Sequence, residues 1–157
     1  MTREEKFMME AIALSQKGIQ NEEGGPFGCV IVKGDAIVGR GNNKVTSSND
    51  PTAHAEVVAI RDACRNLQTF QLEDCEVYTT CEPCPMCLGA IYWARPKIIY
   101  YANSREDAAA IGFDDSMIYE EFGLDLDKRR IPMRSVGKEE ALKVFEEWKI
   151  KEGKINY

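Results

Sequence analysis

The single histidine and two of the six cysteines have the types and spacing of metal ligands. His54 lies in PTAHAEV, and about thirty residues later PCPMC carries Cys84 and Cys87. If a helix begins near Cys84, residues three apart lie on one face, so both thiols can reach one ion. Two thiolates and one imidazole suit zinc, and three protein ligands leave the fourth tetrahedral position open, as in catalytic sites. The spacing therefore predicts a catalytic zinc site.

Glu56, two positions after His54, is predicted to carry protons rather than to bind the metal. Residues two apart on a helix do not face the same way, so Glu56 cannot easily join His54 as a ligand. At a helix start its carboxylate can still reach a metal-bound water. Unpaired N–H groups at helix starts favour thiolate over thiol, and zinc lowers the pKa of bound water towards neutrality.

The cysteine cluster, Cys81, Cys84 and Cys87 within seven positions, also allows a disulfide framework, a redox pair or core packing. Cys81 would share the face of Cys84 only if the helix began earlier, and Pro83 and Pro85 argue against that start. We therefore interpret Cys81 as structural or as a neighbour of the ligands. The remaining cysteines fall in predicted strands and a helix and are interpreted as core residues: Cys29, Cys64 and Cys75.

Composition favours a small-molecule partner for a single domain, residues 1–157. The formal net charge is -6, from 26 acidic and 20 basic residues, whereas proteins that grip phosphates usually carry a basic face. No apolar run approaches the ~18 residues of a membrane span. The charged start MTREEKF predicts an amphipathic helix rather than a secretory signal, so we expect a cytoplasmic protein with reduced thiols.

Hydrophobic periodicity predicts an α/β fold with a mixed sheet covered on both faces. Thr2 and Glu5 have the spacing of a capping box at the first helix. Val57 and Ile60, with Cys64 or Ala63, are expected to face inwards from the second long helix. The predicted helices are residues 2–20, 53–67, one from about 84, a short one after 104, 115–123 and 138–150. The predicted strands are residues 28–33, 36–41, 75–80, 97–102 and a possible short one at 131–136.

These motifs carry a family resemblance. HAE with PCPMC resembles the zinc-dependent cytidine and purine deaminase superfamily. GGPFG, NDPTAHAE, YTTCEPCPMCLGAIYWARP and GFDDS resemble the small bacterial guanine deaminases, over most of the chain and least in residues 121–150. The resemblance implies a three-layer α-β-α sandwich around a five-stranded mixed sheet, the cytidine deaminase-like fold. It also implies one zinc ion per subunit and hydrolysis of guanine to xanthine and ammonia.

The resemblance assigns roles to individual residues. His54, Cys84 and Cys87 correspond to the zinc ligands. Zinc-activated water would attack C2 of the purine, while Glu56 moves the proton to ring N3 and helps the amine leave. Asn43 corresponds to the substrate-binding asparagine, although a turn-forming asparagine is the alternative.

The resemblance also implies further substrate contacts, which rest on less specific motifs. Asp115 is the better match to an acidic residue that handles the amine and ring N–H of guanine, with Asp114 as its substitute, although either could cap the following helix. Phe27 could stack on the base or lie in the core. The remaining expected contacts are Ala55, Trp93, which we expect to pack with partial exposure to the pocket, and Tyr157. Tyr157 would belong to a lid if the tail, about residues 130–157, is exchanged within a homodimer.

Three alternatives remain open at this stage. A tRNA adenosine deaminase shares HAE and PCxxC, but its usual basic surface fits poorly with a net charge of -6. A related free-base or nucleoside deaminase could act on cytosine or a pterin. The chain could also be an inactive, zinc-stabilised binding module, against which the intact Glu56 argues. We expect neither a nucleic acid nor a membrane as a partner.

Overall fold

Four strands and seven helices form the chain, and the computed structural model describes all 157 residues. The strands are β1 (Gly28–Lys33), β2 (Ala36–Asn42), β3 (Cys75–Cys81) and β4 (Ile98–Asn103). The helices are α1 (Arg3–Gln20), α2 (Val45–Ser48), α3 (Ala55–Leu67), α4 (Pro85–Ala94), α5 (Arg105–Ala110), α6 (Ser116–Phe122) and α7 (Lys138–Ile150). No helix is both long and apolar enough to cross a membrane. The chain divides into two compact units, Met1–Asp115 and Ser116–Tyr157.

The first unit contains a mixed four-stranded sheet with the order β2-β1-β3-β4. β1 pairs antiparallel with β2 and with β3, while β3 and β4 are parallel. Four of the predicted strands are therefore confirmed. The predicted strand at residues 131–136 is wrong, because this segment forms no ladder. Pro132 has no N–H to donate, and the N–H of Met133 bonds locally to the carbonyl of Leu126 at 2.9 Å.

Helices cover both faces of this sheet. On one face α1 packs through Ala11 against Val30, Val32 and Tyr78, all fully buried. On the other face α3 and α4 build the larger core together with alternate residues of β1 and β3. Its buried members are Cys29, Ile31, Ala55, Ala59, Ala63, Leu72, Cys75, Val77, Ile91 and Ala94. The sequence prediction of an α/β unit with a helix layer on each face is confirmed, with four strands in the sheet.

Small residues bring α3 unusually close to β2. Ala55, Ala59 and Ala63 recur every fourth residue and are fully buried, so they form one helical stripe. A Cβ on Gly41 would lie 2.2 Å from the carbonyl oxygen of Ala55. Of the residues predicted to face inwards, Ala63 is fully buried and Ile60 and Cys64 pack against the core. Val57 is the exception and is only half-buried, because the side that approaches β2 carries alanines rather than larger side chains.

This close approach predicts a large effect of one methyl group. We expect Gly41→Ala to lower the free energy of unfolding by roughly 2–4 kcal/mol, since the new Cβ would overlap backbone atoms of α3 that cannot rotate away. Urea denaturation checks the value. Gly89→Ala is the matched control, because a Cβ there has no neighbour within 4 Å, and it should leave stability unchanged or slightly improved. An equal loss in both variants would contradict the close packing of α3 on β2.

The start of α1 is fixed to the sheet by polar contacts. The Thr2 side chain and Glu5 form the predicted capping box. Arg3 Nη1 donates to Glu76 Oε2 at 2.8 Å, and the Tyr78 hydroxyl donates to the same oxygen at 2.7 Å. Arg3 Nε also donates to Asp35 Oδ1 at 2.8 Å. These bonds hold the helix layer on the face opposite α3.

The second unit keeps most of its apolar side chains uncovered. Neither α6 nor α7 contains a buried residue. Several large apolar side chains are more than half exposed: Phe122, Leu126, Ile131, Met133, Val136, Val144, Phe145, Ile150, Ile155 and Tyr157. An apolar surface of this extent is typical of a segment that is covered by a partner.

Candidate metal centre and active site

The side chains predicted to bind metal all lie at the starts of two helices. His54 is the N-cap residue of α3 and Cys84 is the N-cap residue of α4, both in extended backbone conformation. Cys87 lies in the first turn of α4 and is fully buried. Pro85 occupies the first position of α4, where a missing N–H costs no hydrogen bond. The proline therefore fixes the helix start that aims both thiols in one direction.

The structure brings the three ligand atoms together at distances that suit zinc. His54 Nδ1 lies 3.6 Å from Cys84 Sγ and 3.5 Å from Cys87 Sγ, and all three atoms lie within 4.8 Å of one another. Zinc bonds of ~2.05 Å to nitrogen and ~2.3 Å to sulfur, at a tetrahedral angle, would separate the two atoms by about 3.6 Å. The donor set and its spacing therefore fit one tetrahedral zinc ion with an open fourth position.

Mutual hydrogen bonds prepare this cluster to give up protons. The Cys87 thiol donates to Cys84, and together with a hydrogen bond from His54 this lowers the pKa of Cys84 to about 4. The pKa of Cys87 is raised, because it shares the proton with Cys84 and is buried. The hydrogen bond to Cys84 raises the pKa of His54. These hydrogen bonds favour one thiolate, at Cys84, and a bound cation would favour the second.

Glu56 lies beside the cluster as a buried carboxyl group. Its side chain is 6% exposed, and burial raises its pKa. Oε1 accepts a hydrogen bond from Thr79 Oγ1 at 3.1 Å. A buried carboxylate with a raised pKa is a stronger base than one in water, which suits a group that accepts and returns protons.

The other cysteines lie outside this set. Cys81 is buried and its thiol lies 3.5 Å from the carbonyl oxygen of Ser104, and burial raises its pKa to about 11. It ends β3 and is not among the three grouped ligand atoms. All six cysteines are free thiols, so a disulfide framework is absent. Cys29 and Cys75 are core residues as predicted, and Cys64 packs against the same core.

Asn43 organises the loop that follows β2. It is 5% exposed, and its Oδ1 accepts from the backbone N–H of Gly25 at 3.2 Å and of Val45 at 3.1 Å. These two bonds fix the amide orientation, so the oxygen is committed and the Nδ2 group remains as the donor. The asparagine is therefore both a loop former and a fixed hydrogen-bond donor.

Aromatic contact joins two of the predicted substrate motifs. The ring of Phe27, from GGPFG, meets the ring of Phe113, from GFDDS, edge-to-face with centroids 4.9 Å apart. Phe113 was not among the predicted contacts, and its position directly before Asp114 was the available signal. Burial raises the pKa of Asp115, while Arg105 opposes this shift and the charge of Cys84 adds to it. Asp115 therefore lies within electrostatic reach of the ligand cluster.

Two further predicted contacts are largely exposed. Trp93 is 64% exposed, which is more than the predicted packing with partial exposure to the pocket: it lies at the C-terminal end of α4, where the buried residues are Ile91 and Ala94. Tyr157 is 69% exposed at the end of the second unit. Ala55, the first residue of α3 between His54 and Glu56, is fully buried. Thr79 was not predicted as a site residue either, although strand alternation places it on the same face as Val77.

Comparison with known proteins identifies similar chains. Residues 1–103 match the family model of the cytidine and deoxycytidylate deaminase zinc-binding region. A guanine deaminase of Bacillus subtilis (strain 168) is 55% identical over 145 residues, which cover 92% of this chain and 93% of that protein. The X-ray structure of guanine deaminase from Bacillus subtilis covers 98% of each chain with a TM-score of 0.94 at 54% identity. A tRNA-specific adenosine deaminase of Aquifex aeolicus is 39% identical over 108 residues, which cover 68% of this chain and 71% of that protein.

Proposed function

Because this chain belongs to the cytidine and deoxycytidylate deaminase zinc-binding family, we propose that it is an aminohydrolase that converts guanine and water to xanthine and ammonia. The observation that carries the proposal is the 55% identity to a guanine deaminase across 92% of the chain. The reaction needs activated water and a group that moves protons, and the chain places a zinc-binding triad beside the buried carboxyl group of Glu56. Purine catabolism or salvage is the corresponding physiological role.

Three side chains would hold the metal: His54, Cys84 and Cys87. When bound, zinc supplies Lewis-acid activation of water near neutral pH. Glu56 accepts the proton that water loses as its oxygen bonds to C2 of the purine. Glu56 then gives this proton to ring N3, takes the second proton from the hydroxyl group now on C2, and passes it to the exocyclic amine, which leaves as ammonia. Because the C2–N bond breaks as the C2–O bond is completed, guanine and water balance xanthine and ammonia.

The purine contacts are proposals for which the structure supplies partial support. Asn43 offers a fixed Nδ2 donor to the purine edge, because its Oδ1 already accepts two backbone N–H groups. Asp115 would accept from the exocyclic amine and ring N–H, with Asp114 next to it as the substitute. Phe27 offers an aromatic surface beside Phe113. Ala55, Trp93 and Tyr157 remain proposed contacts on the family resemblance alone.

A homodimer with an exchanged tail would complete this site. Residues 1–157 would then form one catalytic domain, whose tail of about residues 130–157 reaches the neighbouring subunit. β4 is an edge strand with a mostly exposed surface, so a fifth strand has an open edge to pair with. The exposed apolar side chains of α6 and α7 support a second copy of this chain as the partner that covers them. Six free thiols suit a reducing compartment, and we propose the cytoplasm.

A tRNA adenosine deaminase is the second candidate function, and the length of the matches disfavours it. The tRNA-specific relative covers 68% of this chain, whereas the guanine deaminase covers 92%. The net charge of -6 also lacks the basic excess that supports binding to RNA phosphates. The intact Glu56 argues against an inactive zinc-stabilised module, because a structural site has no use for an unligated acid.

Truncation of Ile155–Tyr157 tests the proposed lid. We expect kcat/KM for guanine to fall about 10-fold or more, because an open site admits water and loses a purine contact. Zinc content and the unfolding temperature should remain those of the full chain, which separates a lost lid from misfolding. Unchanged turnover of guanine would remove the tail from the site.

Identification of the product tests the proposed function itself. Purified protein with one zinc ion per subunit is incubated with guanine, and chromatography follows guanine and xanthine while ammonia is measured in parallel. We expect xanthine and ammonia in equal amounts, and at least about 10²-fold less of both in the same time with Glu56→Gln as the matched control. Absence of xanthine with the zinc-loaded native protein would contradict the proposal.

A further inference from the structure

Thr79 is a buried hydroxyl group in direct contact with Glu56. Its residue is 1% exposed, and Oγ1 donates to Glu56 Oε1 at 3.1 Å. A hydroxyl group buried without a partner would cost free energy comparable to a lost hydrogen bond. The carboxylate is the partner that meets this cost.

The position of Thr79 follows from strand alternation in β3. Thr79 pairs with Cys29 of β1 and lies on the same face as Val77, towards α3 and α4. Thr80 lies on the opposite face, where its Oγ1 accepts from the backbone N–H of Gly28 at 3.0 Å. The two adjacent threonines therefore have different partners, one in the site and one in the sheet layer behind it.

Metal binding would make the Thr79 hydroxyl more important to Glu56. In the metal-free cluster the carboxylate of Glu56 also interacts with the Cys87 thiol and with its own backbone N–H. A cysteine that binds zinc is deprotonated and has no proton to donate. Thr79 then remains as the side-chain donor to Glu56, and it comes from a strand rather than from the helices that carry the ligands.

We infer that Thr79 is a positioning residue for the deamination: its hydroxyl holds Oε1 of Glu56 so that Oε2 is the oxygen that carries protons. This inference rests on the proposed function. A carboxylate held at one oxygen cannot rotate freely, so its second oxygen keeps one orientation towards the reacting atoms. Loss of the bond should therefore slow the chemical step without weakening the binding of guanine, since Thr79 itself makes no proposed contact with the purine.

Three variants test this role. Thr79→Val keeps the shape of the side chain and removes the donor, Thr79→Ser keeps the donor, and Thr80→Val is the matched control on the other face of β3. We expect Thr79→Val to lower kcat about 10- to 100-fold, the range for lost outer contacts and for small misplacement of a catalytic group. KM should stay within about threefold of the native value, since the variant loses no contact with bound guanine. Thr79→Ser and Thr80→Val should keep kcat within about threefold, although Thr80→Val loses stability.

A double-mutant cycle with Glu56→Gln separates positioning from a structural effect. If Thr79 acts through the carboxylate, Thr79→Val should lower the residual rate of Glu56→Gln by less than about twofold. Zinc content and crystal structures of the variants supply readouts that do not depend on turnover, and Glu56 should change its side-chain orientation only in Thr79→Val. If the valine variant does not fold, Thr79→Ala takes its place.

Several results would overturn the inference. The first is a native kcat in Thr79→Val, and the second is an equal reduction of kcat in Thr79→Ser. The third is that Thr79→Val reduces kcat by the same factor in Glu56→Gln as in the native protein. The proposed function is judged separately by the native protein. If native protein produces xanthine while Thr79→Val matches it, only the positioning role fails; if native protein produces none, the proposed function fails first.

Discussion

Replacing Glu56 with glutamine should lower turnover by orders of magnitude and leave the metal in place. We expect kcat to fall by about 10²- to 10⁴-fold, because an amide cannot accept a proton from water or return one to the leaving amine. Zinc should remain at one ion per subunit, since Glu56 does not belong to the group of three residues that can hold the metal. The unfolding temperature should be no lower than that of the native protein, because burial disfavours the charged carboxylate that is removed. Steady-state kinetics, metal analysis and thermal unfolding measure the three quantities.

Glu76→Gln is the matched control for this change. Glu76 is a partly buried glutamate of β3, but it accepts from Arg3 and Tyr78 on the α1 side of the sheet. The control should lose stability by breaking a charged contact and keep the turnover of guanine. Normal turnover by Glu56→Gln would exclude the proton-carrying role, and equal loss in both variants would mean that the effect is structural.

Replacing Cys84 with alanine should remove the metal, the activity and part of the stability. A site with one thiolate and one imidazole binds zinc much more weakly. Once the metal is lost, it no longer joins the starts of α3 and α4. We expect zinc content near zero and a free energy of unfolding lower by roughly 3 kcal/mol or more, because binding energy of a metal that joins two elements is also folding energy. Metal analysis and urea denaturation, with and without a chelator, measure both effects.

Cys81→Ala is the matched control for the ligand variant. Cys81 lies three residues earlier and is buried, but its thiol contacts the carbonyl of Ser104 rather than the cluster. It should keep one zinc ion per subunit, keep activity and lose only about 1–2 kcal/mol of packing and contact energy. Native protein treated with a chelator should lose stability to about the level of Cys84→Ala. A zinc-free Cys81→Ala protein would place a different thiol in the ligand set.

The zinc site was predictable because its information is local. His54 and Cys84 each start a helix, and PCPMC contains both the proline that fixes the start of α4 and the three-residue spacing of the thiols. Helix geometry alone then places Cys84 and Cys87 on one face. The contact between the two helix starts was inferred from the chemistry of the donor set, and the distances of 3.5 and 3.6 Å from His54 Nδ1 agree with it.

Contacts between elements were harder to predict, because they depend on size and not only on polarity. The hydrophobic pattern of α3 favoured Val57 as an inward residue, but glycines in β2 select alanines for the close face. From its sequence position Thr79 is an ordinary strand residue. Only the packing of β3 against α3 identifies the carboxylate of Glu56 as its partner. The segment at residues 131–136 has apolar residues typical of a strand, yet Pro132 has no N–H to donate to a ladder and the N–H of Met133 bonds locally to the carbonyl of Leu126.

Ammonia release from a substrate panel tests the central claim most directly. The panel contains guanine, adenine, cytosine, cytidine, adenosine and an RNA anticodon stem-loop, each at equal concentration with zinc-loaded protein. We predict that guanine is turned over with a kcat/KM at least about 10²-fold above every other member, because a site that pairs with the polar edge of one base leaves buried groups unpaired with another. Turnover of the stem-loop alone, with none of guanine, would contradict the account.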